Sequence, residues 1–172
     1  MVLWGYKKCL SIPIGSSDDG ELTNYQIKLT LVKGSGTNSG STIYLDNEAL
    51  NWPYDIRFST DVAGTTLIDF TREEYDATDG TWWVEVPTIP ASGGTTIYLH
   101  VGDADATDAS DSASTFDNFI DVSVTTGWTA PNGGLSNDAG MLRLYDNKTS
   151  VFYYAYKSVS DVHTDFVVEY TF

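Results

Sequence analysis

Apolar and polar residues alternate with a period of two along most of the chain. Tyr25, Ile27, Leu29 and Leu31 fall on one side of a stretch whose other side carries Gln26, Lys28 and Thr30. That spacing is the mark of a half-buried strand. Leu10, Ile12 and Ile14 form a similar face, as do Ile43 with Leu45 and Ile56 with Phe58. Trp82, Val84 and Val86 oppose Trp83 and Glu85; Ile97, Leu99 and Val101 oppose Tyr98 and His100. Further on, Phe152, Tyr154 and Tyr156 line up, and so do Phe166, Val168, Tyr170 and Phe172. Gly-, Asn- and Asp-rich turns separate these runs, and no window of about a dozen residues carries a helical stripe. Many short strands at this spacing predict an all-β fold, an antiparallel β-sandwich of jelly-roll-like kind. The same alternation points Ile27, Leu29, Leu31, Trp82, Val84, Ile97, Leu99 and Val101 inward, and leaves Trp83 as the exposed partner of Trp82.

One stretch breaks the pattern. From Gly102 to Ser114 there is no large apolar residue, only Asp, Ala, Ser, Thr and Gly, which reads as a loop or linker between packed segments. Aromatic anchoring resumes at Phe116 and Phe119. The chain is therefore divided at about residue 120, into a β-sandwich module over 1–120 and a partial segment over 121–172 that opens a second sandwich. Residues 166–172 make a long strand with one apolar face, and 151–156 are aromatic on both faces. Such strands call for cover by residues outside the segment, by a second copy in a homo-oligomer or by other structural subunits.

Charge narrows the partners. The 172 residues carry 24 acidic and nine basic side chains, a formal net charge of −15. That balance repels phosphate backbones and anionic lipid, so nucleic acid is not an expected partner. No apolar run approaches the roughly 20 residues of a bilayer span, so membrane insertion is not expected either. Asp outnumbers Glu by 18 to 6; this suits a turn-rich β surface, and suits equally a salty or extracellular setting. The lone Cys9 rules out an internal disulfide framework and a cysteine-rich zinc site. The opening residues, Met1 to Lys8, lack the order of a secretion signal, since the basic pair follows the apolar residues. Removal of a leader and release inside a virus particle both fit.

Several pieces in order resemble a known family. They are Trp4-Gly5-Tyr6-Lys7, Tyr25 to Leu31, Asp55-Ile56-Arg57-Phe58, Gly64-Thr65-Thr66-Leu67, Trp82 to Asp103 and Thr115 to Phe119. Together they are similar to a bacterial and archaeal domain-of-unknown-function family of β-sandwich modules. The resemblance covers about residues 4–120. It implies a place in large cell-surface or viral proteins, commonly just ahead of a concanavalin-like or laminin-G-like lectin domain. The stretches Gly140 to Asp146 and Asp165 to Phe172 look like the opening strands of such a lectin-like domain. The family brings no catalytic residues.

The residues themselves offer little chemistry. His100 and His163 stand on separate strands outside any metal-ligand spacing, and read as solvent-facing or hydrogen-bonded structural histidines. Glu73 and Glu74 are neighbours on a strand and point to opposite faces, so they cannot flank a glycosidic bond together. Asp165 to Glu169 has apolar residues where the acidic strand motif of lectin-like glucan hydrolases would need carboxylates. No catalytic residue is assigned. Asp103, Asp105, Asp108 and Asp111 offer hard oxygen ligands, so calcium is the one cofactor considered, although an EF-hand register fails at Asp108 and Ser114. A solvated, mutually repelling linker is the alternative. Aromatic residues make up 13% of the chain, and rings beside Asp and Asn are what sugar binding uses. Trp83 and Tyr153 are the candidate glycan contacts, against plain packing roles for both. Two functions compete: a non-catalytic structural and recognition module of a virion fibre, turret or cell-surface appendage, and a carbohydrate-binding accessory module of a larger secreted adhesin or enzyme. Either lies outside the cell or on a virion or cell surface. Incubation with common polysaccharides is expected to release no reducing sugar; hydrolysis that disappears on replacing Glu169 or Glu73 would overturn this.

Overall fold

The alternating stretches become strands. The computed structural model describes residues 5–116 together with the strand residues 128–129, 133–138, 141–146 and 156–157. The chain divides into two compact units, Met1–Asp117 and Asn118–Phe172. In the first, the strands are β1 (Lys8–Ile14), β2 (Leu22–Val32), β3 (Thr42–Tyr44), β4 (Arg57–Ser59), β5 (Leu67–Ile68), β6 (Phe70–Tyr75), β7 (Asp79–Ile89) and β8 (Thr95–Val101). They form two four-stranded sheets, ordered β1-β8-β4-β5 and β3-β2-β7-β6. This unit is an all-β sandwich.

The register explains the core. Leu10, Leu99, Phe58 and Ile68 stand side by side across the first sheet. Ile27, Val84 and Phe70 do so across the second. Side chains that share a row on one face present a continuous apolar surface, and two such surfaces exclude water between them. The layers meet where the Phe58 ring lies edge-on to Phe70, 5.4 Å between centroids. Leu29, Leu31, Trp82, Val84, Ile97, Leu99 and Val101 are buried as their alternation predicts, and Ile27 is half-buried against them.

Three features depart from the expected pattern. First, β2 and β3 pair in parallel, Thr30 opposite Thr42 and Val32 opposite Tyr44, so the second sheet is mixed rather than purely antiparallel. The chain doubles back after β2, and Asp46 and Asn47 then adopt positive φ, a conformation that short polar side chains tolerate. Second, β6 carries a bulge between Arg72 and Glu74. An extra residue interrupts the two-residue period, so Glu73 and Glu74 do not simply point to opposite faces. Gly80 pairs with Tyr75 just beyond this bulge, and a Cβ there would come within 2.7 Å of the Glu74 carbonyl oxygen. Third, His100 is buried although the alternation sets it opposite the core face. Its strand is covered on both sides at this end.

One helical turn, α1 (Ser112–Thr115), follows the strands. In the second unit, β10 (Gly133–Asp138) pairs antiparallel with β11 (Met141–Asp146), and β12 (Tyr156–Lys157) with β9 (Trp128–Thr129). Phe152, Tyr154 and the run 166–172 lie outside the described residues. Trp82→Ala should cost about 3–5 kcal/mol and Leu99→Ala about 2–5 kcal/mol, read as a lower urea midpoint at unchanged slope.

Candidate functional site

The acidic stretch after β8 is folded onto the first sandwich. Asp103 Oδ1 accepts the Asp105 N–H at 3.0 Å, closing a local turn. The Ala106 carbonyl accepts from Asn51 Nδ2 at 2.7 Å, and the Thr107 carbonyl from Arg57 Nη2 at 2.6 Å. Arg57 also donates through Nη1 to the Tyr54 and Ile56 carbonyls, so one guanidinium ties three backbone positions. Asp108 then grips Arg72 with both oxygens, at 3.1 and 2.7 Å. The matched fork geometry makes this pairing directional as well as charged.

Beyond Asp108 the segment runs along the edge of β6. Ser110 Oγ accepts the Arg72 backbone N–H at 2.8 Å, and the Asp111 N–H donates to the Phe70 carbonyl at 2.9 Å. These bonds satisfy edge groups that would otherwise invite pairing with another strand. Asp111 caps α1 by accepting from the N–H groups of Ala113 and Ser114. Thr115 is buried, and its carbonyl accepts from Gln26 Nε2 at 2.8 Å. Phe116 closes the segment by packing edge-on against Trp83, at 5.8 Å.

Of the four candidate calcium ligands, the carboxylates of Asp103, Asp108 and Asp111 accept from separate groups of the segment and of β6. Among the described residues no group of three or more His, Cys, Asp or Glu side chains could hold a metal ion. The Arg72 guanidinium holds the Asp108 carboxyl below the usual range, and the Ser114 N–H and hydroxyl do so for Asp111. The linker is a strap, and the carboxylates of Asp103, Asp108 and Asp111 serve it as hydrogen-bond acceptors. Trp83, the candidate glycan contact, is half-buried. Its ring receives Phe116 at an edge and lies 5.2 Å from the Lys28 ammonium, while its N–H donates to Glu73 Oε2 at 3.1 Å. It anchors the strap. Tyr153 and His163 lie outside the described residues.

Two buried polar groups carry no signal in the alternation. Asp55 Oδ2 accepts the N–H groups of Leu50 at 2.7 Å and Gly102 at 3.1 Å, pinning the start of the strap beneath the loop before β4. Gly102 has φ +100°, a backbone that disfavours any side chain. Ser59 Oγ lies 2.6 Å from the Asp61 carbonyl, to which it donates, and 2.7 Å from His100 Nε2. Burial holds His100 below its ordinary pKa. Ser59 is fully buried at this contact.

Polar and aromatic side chains also gather outside the core. Arg72 lies 5.2 Å from the Tyr54 ring centroid and 4.9 Å from that of Tyr75. The neighbouring Tyr75 phenol raises the Tyr54 phenol pKa. Nearby Trp52 donates its indole N–H to the Asp76 carbonyl. Neither tyrosine belongs to the alternating runs; only the abundance of Tyr hinted at them.

Residues 52–131 match a protein family described as a domain of unknown function, DUF2341. No curated protein and no solved structure matches the chain. Among the described residues, no helix is long and apolar enough to cross a membrane.

Arg72→Ala should cost about 1–3 kcal/mol and expose residues 103–111 to limited proteolysis, read by mass spectrometry of the fragments. Stability should also depend on pH in three windows. His100, lowered in the fold, favours the folded state above its ordinary value, and that contribution erodes as pH falls below about 6.5. Asp61, held to about 2 chiefly by the Thr65 N–H and hydroxyl, adds stability that is lost as pH drops from about 4 toward 2. Tyr6, pushed up to about 12 mainly by burial, adds stability that is lost as pH rises beyond about 10. Denaturant midpoints measured from pH 2 to 12 check each window, and His100→Gln should flatten the first.

Proposed function

We propose that the chain is a non-catalytic structural and recognition module of an extracellular assembly, such as a virion fibre or turret or a cell-surface appendage, joining copies of itself or other structural subunits. The observation that carries this reading is the strap. A stretch that could have been a free tether is fixed to the sandwich from Asp103 to Phe116, through Arg57, Arg72, Gln26 and Trp83. A module whose outgoing chain is anchored can transmit position and load to the next segment of the polypeptide. The antiparallel pairs of the second unit are compatible with the opening strands of a lectin-like domain, and in this reading they begin the part that recognises or assembles. The acidic surface favours solubility outside the cell.

The test is sedimentation velocity on the full chain over a range of concentration and salt. Oligomers are expected, and because each copy carries −15 they should tighten as salt screens the repulsion. A monomer at every concentration and ionic strength would overturn the reading. The second reading, a carbohydrate-binding module, draws on the tyrosines around Arg72.

A further inference from the structure

We propose that Tyr75, Tyr54 and Asp108, ordered around Arg72, form a binding site for a neutral sugar residue. Tyr75 is 48% exposed and the Asp108 side chain 43%, whereas the Arg72 side chain between them is only 12% exposed. The guanidinium is therefore the buried organiser, and the ring and carboxylate are the presented groups. One cation lies close to both phenol rings, at 5.2 and 4.9 Å. The strap in turn sets the carboxylate through the Ser110 N–H at 3.0 Å. Little freedom is left to lose when a ligand arrives, which is what makes a small exposed patch able to bind.

The chemistry selects the ligand class. The C–H face of a pyranose stacks on an exposed aromatic ring. Asp108 Oδ2 keeps a lone pair beyond the Arg72 fork and can accept from a sugar hydroxyl, and phenol hydroxyls both donate and accept. Anionic ligands are disfavoured, because Asp108 already neutralises Arg72 and the whole chain carries −15. A neutral, hydroxyl-rich ring satisfies both the stacking surface and the acceptors. The proposal does not depend on assembly: sugar binding and oligomeric state are separate measurements, and either can fail alone.

The test is calorimetric and NMR titration of the full chain with cellohexaose, mannohexaose and xylohexaose, with hyaluronan oligosaccharide as the anionic control. At least one neutral hexaose should bind saturably and shift the Tyr54 and Tyr75 ring resonances. Tyr75→Ala should weaken that binding at least tenfold, while Tyr75→Phe, which keeps the ring, should retain most of it. Asp108→Asn should weaken it less than Tyr75→Ala does. Circular dichroism confirms that each variant is folded, and the ring shifts in the unaltered protein locate the site independently of any variant. Absence of binding by all three neutral hexaoses up to millimolar concentration, binding of hyaluronan alone, or equal affinity in folded Tyr75→Ala would overturn the proposal.

Discussion

The first unit depends on the closure of β6 by the segment that comes after the last strand. An edge strand leaves a row of backbone donors and acceptors that must be paired, covered or hydrated. Here the covering groups come from the same chain: Ser110 takes the Arg72 N–H and Asp111 gives its own to the Phe70 carbonyl. These bonds form only if the strap lies along β6 in one register. That register is set by the two-point contact of Asp108 with Arg72. Once it is set, the chain arrives over the outer face of the second sheet, where Thr115 is buried and Phe116 meets Trp83.

A strongly acidic chain has few cations with which to organise itself, and their placement is informative. The first unit contains two arginines, Arg57 and Arg72, and both bind the strap. Arg57 holds its backbone at Thr107 and Arg72 its carboxylate at Asp108. Lysine would supply the charge but not the planar fork that engages two oxygens together or spans three carbonyls. The aspartates complement this economy. Several of them, Asp61, Asp76, Asp103 and Asp111 among them, accept from backbone N–H groups two to five residues onward, so the negative charge is used to shape turns.

The family match from residue 52 to 131 takes in β4 to β8, the strap and both arginines. It leaves out β1, β2 and β3, although β1 pairs along its length with β8 and β2 with β7. The matched stretch is therefore not a free-standing sandwich here: Leu99 needs Leu10 beside it, and Trp82 needs Leu29. The structural module is the whole first unit, and the aromatic group around Arg72 sits on its surface at the bulge of β6.

The alternation by itself determined the class of fold and most of the core, because a period of two with one apolar side has only one way to bury that side. Ile12, Leu31, Val84 and Leu99 were legible for that reason. What it left undetermined lies wherever burial comes from a distant segment rather than from the strand's own pattern. His100 reads as an outward residue until Tyr6 and Ser59 are placed against it. Trp83 reads as an open aromatic surface until Phe116 folds over it. The bulge at Arg72 hides β6 from any period-two reading, and with it the partners of Asp108. The strap reads as a repelling linker because composition reports its charge and not the donors awaiting it. Sequence patterns record local geometry and average polarity, whereas hydrogen-bond pairing across 36 residues, as between Arg72 and Asp108, exists only once the sheets have brought the two together.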